Sequence, residues 1–238
     1  MRGLQHNRTM LCDARLQTRH FLATQPWFNA LDAARQTQLT QRVEVLQASK
    51  GQTVLGAGEP VQGWYAVLSG LVKLQTEAAD GRRSAFIGVP DGEWFGEGSV
   101  LKSEPRRYAV VALRDSWLMC LPRDVFTELQ QGNLRFNQYL VQHLNMRLGQ
   151  AMTLIEASRI RAPEHRVALY LSRLFWRSTR RLYLTQEELG TLVGLSRQTV
   201  NRVLRQLAER GIVSSDLGRV AILDDAALDR YLEETASA

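Results

Sequence analysis

The sequence predicts an α+β chain in which a β-sheet domain is followed by one long helix and then by a compact helical domain with a small hairpin. Three observations carry this. Ten of the 17 glycines lie between Gly51 and Gly98, where they punctuate short alternating apolar runs. From Leu134 an apolar row advances by alternating steps of three and four residues. Residues 159 to 220 hold twelve arginines, no lysine and five acids, a local charge of +7 in a chain whose total is +6. With 238 residues and 45% hydrophobic content, the chain is long enough for two domains that each bury a core.

Residues 1–23 are polar and basic and read as a mobile N-terminal tail. Residues 24–131 read as the β-domain. Alternation in Tyr65–Ser69 and Leu71–Gln75 predicts antiparallel strands, and Asp80-Gly81 marks a hairpin between residues 71–76 and 84–89. A last strand is expected from Tyr108 to Leu121, before Pro122. Short strands with regular turns over about 100 residues make a barrel or jelly roll, an architecture that commonly holds a small ligand.

Residues 132–160 read as the long helix. Its row is Leu134, Asn137, Val141, Leu144, Leu148, Ala151, Ile155 and Ser158, apolar at six of eight places. Such an a/d seam predicts a parallel dimer, with Val141, Leu144, Leu148, Ala151 and Ile155 at its centre. A second row, Phe136, Leu140 and Leu154, would let the same helix pack on its own β-domain, and both uses can hold at once. The seam stops near Ile160, and Pro163 suits the first turn of a new helix, so a short hinge is expected there.

Residues 161–238 contain the segment richest in information, Leu184 to Leu207. Thr185 and Glu188 form a T-x-x-E capping box for one helix, and Ser196 is a good N-cap for a second. Between them Gly194 suits a left-handed position, with Leu189, Val193 and Leu195 beneath the turn. On a helical wheel Arg197, Gln198, Asn201, Arg202 and Arg205 span roughly 140°, and Val200, Val203, Leu204 and Leu207 fill the opposite arc. One face buries itself and the other is basic. Gly211 and the run Ser214–Leu223, with Asp216-Leu-Gly218 at its tip, add a hairpin, which completes a winged helix-turn-helix.

That arrangement predicts binding to double-stranded DNA. Arg bonds guanine O6 and N7 together, and Gln does the same at adenine N6 and N7. The start of the second helix, Ser196 to Arg202 with Arg197, Gln198, Thr199 and Asn201, would enter the major groove, while Thr185 and Gln186 would lie near phosphates. The concentration of charge in this region agrees with a polyanionic partner.

Other classes are disfavoured. A membrane partner is not expected, because the chain has no apolar run of about 18 residues and no signal-peptide core, and a cytoplasmic location follows. Cys12 and Cys120 are too few for a four-thiolate cluster, and His6, His20, His143 and His165 form no ligand-spaced group, so no metal is expected. No nucleophile with its base, and no paired acid and base, suggests an enzyme.

In this order, a glycine-punctuated β-roll, a dimer helix and a winged helix-turn-helix resemble the Crp/Fnr superfamily of bacterial transcription regulators, over residues 24 to 223. The run Gly194-Leu-Ser-Arg-Gln-Thr-Val-Asn-Arg202 is similar to the cyclic-AMP receptor branch. The resemblance implies a homodimer on a pseudo-palindromic operator, guanine contacts by Arg197 and Arg202, and RNA polymerase as a partner. That branch usually has Glu where this chain has Gln198, so a changed base preference is expected there.

The resemblance also implies an effector site. Phe95-Gly96-Glu97-Gly98-Ser99, with Arg107 ten residues after Glu97, looks like the family's phosphate-binding cassette. Amides at the start of a short helix and Arg107 would hold a cyclic phosphate, and Glu97 would accept from a ribose hydroxyl. Tyr108 stands where the family has Ser or Thr, and Ala151 and Met152 stand where the cyclic-AMP receptor branch has hydroxyls facing adenine. Cyclic AMP or cyclic GMP is therefore one effector to test; a different effector, none at all, a haem, or a cyclic-nucleotide module regulating another protein are the alternatives.

Overall fold

The computed structural model describes residues 14–77, 83–157, 162–176, 180–216 and 219–236. The chain divides into two compact units. The first runs to Arg83 and from Ile87 to Leu144; the second is Asn145 onward with residues 84–86.

The first unit opens with three helices: α1 (residues 14–23), α2 (Pro26–Asn29) and α3 (Ala33–Arg42), the last capped by Asp32, whose Oδ1 accepts the Arg35 N–H at 2.8 Å. Residues 14–23, expected to belong to a mobile tail, are helical, and Phe21 and Leu22 enter the core. Burial explains the difference, because each large apolar side chain removed from water contributes about 1.5–3 kcal/mol. Trp94 Nε1 donates to Gln25 Oε1 at 3.0 Å, which fixes the end of this segment on the roll.

The strands are β1 (Glu44–Ala48), β2 (Thr53–Leu55), β3 (Gly63–Ser69), β4 (Leu71–Glu77), β5 (Arg83–Pro90) and β6 (Trp94–Phe95), then, after the short helix α4 (Glu97–Lys102), β7 (Ala109–Ala112) and β8 (Ser116–Pro122). They form two antiparallel four-stranded sheets, in the orders β1-β8-β3-β6 and β2-β7-β4-β5. The expected hairpin is the β4–β5 pair, and Asp80-Gly81 lies outside the described residues. The single strand expected from Tyr108 to Leu121 is two strands in different sheets. Polar Arg114 and Asp115 interrupt it, and Asp115 Oδ1 accepts the Lys50 N–H at 2.8 Å, so the chain crosses from one sheet to the other there.

Strand β3 is buried on both faces, as alternation allows when each face meets a core. Trp64 and Ala66 face the helices, where Trp64 stacks on Trp94 at 4.1 Å between centroids. After α5 (Arg123–Gly132) the long helix α6 (Leu134–Ala157) begins, and its Phe136 meets Trp27 edge-on at 5.1 Å. Phe136 and Leu140 are buried against the roll, as the second apolar row predicts.

In the second unit α7 (Pro163–Leu171) starts with proline in its first turn. Strand β9 (Arg181–Leu182) follows, then α8 (Gln186–Val193), α9 (Arg197–Glu209), β10 (Val213–Asp216), β11 (Arg219–Ile222) and α10 (Asp225–Ala236). The capping box has both halves: Thr185 Oγ1 accepts the Glu188 N–H at 3.1 Å, and Glu188 Oε2 accepts the Thr185 N–H at 2.7 Å. Gly194 closes α8 at φ 67°, and Ser196 Oγ accepts the Thr199 N–H at 3.1 Å to open α9. Val200, Val203, Leu204 and Leu207 are buried. Gly190 permits the close approach of the two helices, since a Cβ there would lie 2.7 Å from the Leu195 carbonyl oxygen. The three-stranded wing has the order β10-β11-β9; residues 217–218 at its tip, and residues 158–161 of the expected hinge, lie outside the described residues.

Candidate functional site

The polar face of α9 is open. Arg197, Gln198, Arg202 and Arg205 are exposed, and Thr199 and Asn201 are half-buried beside them. Arg197 and Arg205 make no ion pair among the described residues. Arg202 does: its Nη1 lies 2.6 Å from Glu164 Oε1 at the start of α7. Ser196 and Thr185 spend their hydroxyls on helix caps, which orient the face rather than extend it. Gln186 is half-buried next to Thr185. The wing adds residues that the sequence reading missed. Exposed Tyr183 lies under the Arg219 guanidinium, 4.9 Å from ring centroid to Cζ, on the edge that also carries exposed Arg181. Strand pairing between β9 and β11 creates that neighbourhood, and no local pattern announces it.

Other arginines of the basic region are committed to acids. Arg173 and Arg180 both reach Asp225 at 2.6 Å, and Arg210 reaches Glu234 at 2.7 Å. These acids sit on α10, a helix the sequence reading left out although Asp224 caps it and Leu228 and Tyr231 bury its inner face.

On α6 the seam residues divide. Leu134, Val141, Leu148 and Ile155, seven residues apart in turn, are all exposed, as are Ala151 and Met152. Leu144 is half-buried against the roll, and Asn137 Nδ2 donates to the Gln130 carbonyl at 2.6 Å.

The cassette differs from expectation at its arginine. Arg107 is 74% exposed and its Nη2 sits 3.2 Å from Glu104 Oε2, so it points away from the roll. Arg106 points inward. It is 2% exposed, its Cζ lies 5.1 Å above the Tyr65 ring, and a Cβ on Gly96 would meet its Nη1 at 3.4 Å. Its backbone is held by Glu59, whose carbonyl accepts the Arg106 N–H at 3.0 Å. The physical reason for the one-residue shift lies in the loop before β7: the Arg106 carbonyl also accepts the Gly58 N–H at 2.7 Å, so residue 106 is the one whose backbone is pinned to residues 58–59 with its side chain turned inward. Nε and Nη1 of Arg106 have no hydrogen-bond partner among the described residues. A buried guanidinium with two unsatisfied nitrogens is costly, so the site is suited to an anion.

Gly96 adopts φ 90°, which lets the chain turn into α4, and Ser99 is buried while Gly98 is exposed. Glu97 is half-buried. Its Oε2 lies 3.4 Å from Nε2 of His143, a buried residue of α6 on the same inward row as Phe136 and Leu140. Tyr108 is half-buried. Burial pushes the Cys120 thiol up to about 11, and the neighbouring Tyr65 hydroxyl is also pushed up, chiefly by burial, so both are neutral.

Among the described residues no helix is long and apolar enough to cross a membrane, and no group of three His, Cys, Asp or Glu could hold a metal ion.

A β-roll with a buried cation, followed in the chain by a capped basic reading helix, defines the class of transcription regulators that combine a β-roll domain with a helix-turn-helix domain. Known proteins agree. The family model "Cyclic nucleotide-binding domain" matches residues 45–133, and "Crp-like helix-turn-helix domain" matches residues 165–231. A cyclic AMP receptor protein of Thermus thermophilus is 31% identical over 181 residues, 76% of this chain and 84% of that protein. A CRP-like cAMP-activated global transcriptional regulator of Mycobacterium tuberculosis is 28% identical over 211 residues, covering 85% and 94%. A solved Crp/Fnr-family regulator of Thermus thermophilus aligns with a TM-score of 0.57 at 28% identity, covering 81% of this chain and all of that one. The chain belongs to the Crp/Fnr family and is a DNA-binding transcriptional regulator.

Proposed function

We propose that two copies pair along α6 and read a pseudo-palindromic operator, with Arg197, Gln198 and Arg202 of each α9 on base edges. The observation that carries this reading is the capped helix whose basic face stays open while its apolar face is fully buried. Pairing is supported by the exposed ridge Leu134, Val141, Leu148 and Ile155, a seven-residue repeat that a second helix would cover. Half-sites are then about one helical turn apart, roughly 34 Å. Two reading helices that each meet guanine through arginine agree with the family's habit. RNA polymerase is the protein partner the family implies, and such a protein acts in the bacterial cytoplasm.

The roll takes a small anionic effector on Arg106, and a cyclic nucleotide is the first ligand to test. The residues fit an anion because Arg106 is buried with unused N–H groups next to Gly96. Neither Arg107, which follows Arg106, nor Tyr108 is the hydroxyl residue the family places there. Ala151 and Met152 offer no side-chain hydrogen bond either, which favours an effector other than cyclic AMP if that nucleotide fails. Effector and DNA would favour each other equally, since coupling between sites is reciprocal.

Footprinting of full-length protein on DNA enriched from random duplexes, together with light scattering, tests the reading. Two protected half-sites and a dimer are expected. A monomer, or protection of one unrepeated half-site, overturns it.

A further inference from the structure

We infer that Glu164 is a positioning residue for base reading: its carboxylate holds the Arg202 guanidinium so that the remaining N–H edge is presented to DNA. The inference rests on the proposed role of Arg202 at a base edge. Nη1 of Arg202 is 2.6 Å from Glu164 Oε1, yet the Arg202 side chain remains 51% exposed, so one nitrogen is engaged and the rest of the fork is open. Glu164 is the fixed member of the pair. It lies in the first turn of α7, where a helix favours a carboxylate, and its side chain is only 24% exposed. Burial pushes the Glu164 carboxyl up, but its backbone hydrogen bond and Arg202 outweigh burial and hold it below the usual carboxylate range. Helix α7 packs on α9, with Val167, Val200 and Val203 all fully buried, so the carboxylate is carried by a helix packed against the one that carries Arg202.

The chemistry gives this pair a direction. Recognition of guanine needs two donors of one guanidinium in the plane of O6 and N7. A free arginine must give up its rotamers to reach that pose, whereas one already anchored through Nη1 keeps Nη2 and the plane of the fork in place. The same carboxylate repels nearby phosphates, so it lowers affinity for DNA of any sequence while raising discrimination. A mere brake on binding would differ in one respect: its removal would tighten every duplex alike and leave discrimination intact. The separation of 38 positions between Glu164 and Arg202 explains why no local pattern in the sequence joins them.

The test uses full-length protein, the duplex it prefers after enrichment, and that duplex with the guanine facing Arg202 replaced, at one salt concentration. Glu164→Ala is expected to reduce the preference between the two duplexes by about tenfold, with Glu164→Gln between it and the wild type. Binding to random-sequence DNA should stay equal or rise. Arg202→Ala should lose the preference, and Arg202→Ala with Glu164→Ala should match Arg202→Ala alone, because the glutamate acts through the arginine. Tighter binding of the preferred duplex by Glu164→Gln with intact preference, or effects that add in the double variant, overturns the inference. If Arg202→Ala retains the preference, the reading of Arg202 fails and the inference falls with it; if only Glu164→Ala retains it, the inference alone falls.

Discussion

The DNA-reading helix and the effector cassette are built to opposite plans. Helix α9 puts its arginines outside and its valines and leucines inside, so Arg197, Gln198 and Arg205 stay exposed to water. The cassette puts Arg106 inside a roll of aromatic and aliphatic side chains, without a hydrogen-bond partner for Nε or Nη1 among the described residues. The first site is stable without its ligand, and the second carries a standing cost that the proposed anionic effector would relieve. Difference in plan becomes difference in sensitivity: single substitutions should tune the reading helix and should silence the cassette.

The largest effect expected is at the cassette. Arg106→Gln should abolish anion binding measured by titration calorimetry with cyclic AMP or cyclic GMP, whichever the wild type binds, while Arg107→Gln leaves it unchanged. Arg106→Gln should also leave the unliganded protein at least as stable, because a buried charge with two unsatisfied nitrogens has been removed. Equal losses in both variants would erase the contrast between inward Arg106 and outward Arg107. Next comes Arg197→Ala. With one guanine contact of about 1–3 kcal/mol lost in each half-site, a dimer should lose about 2–6 kcal/mol of operator affinity. A loss that is uniform over all sequences would instead mark Arg197 as a phosphate contact. Gln198→Glu should change the preferred base at one position per half-site, toward cytosine on the strand that Glu can accept from, by about 1–3 kcal/mol. Repeated enrichment with the variant reads this directly, and an unchanged half-site would remove Gln198 from the reading set. The smallest effect is Thr185→Ala, which removes one side of the capping box and should destabilise the second unit by about 1 kcal/mol in thermal unfolding.

How far each site was legible follows from the range of the interactions that build it. The caps, the turn at Gly194 and the two faces of α9 are all set within a few residues, so spacing alone exposes them. In the cassette the decisive question was which of two adjacent arginines points inward. Local alternation cannot answer it, because residue 106 lies before β7 and its backbone is pinned to residues 58–59. The partnership of Glu97 with His143 joins the first residue of α4 to a helix far along the chain, and the Arg219–Tyr183 contact depends on strand pairing in the wing. Helix α1 was missed for another reason: a polar, basic start concealed Phe21, Leu22, Trp27 and Phe28, whose burial becomes evident only beside Trp94.

The missing side chain at Gly190 has a mechanical meaning. With the Leu195 carbonyl oxygen 2.7 Å from where a Cβ would stand, the turn into α9 packs directly on α8 and leaves the two helices little room to slide or pivot on each other. Kinematically they form one lever: the reader can be tilted or carried as a block, but not retracted from its partner helix.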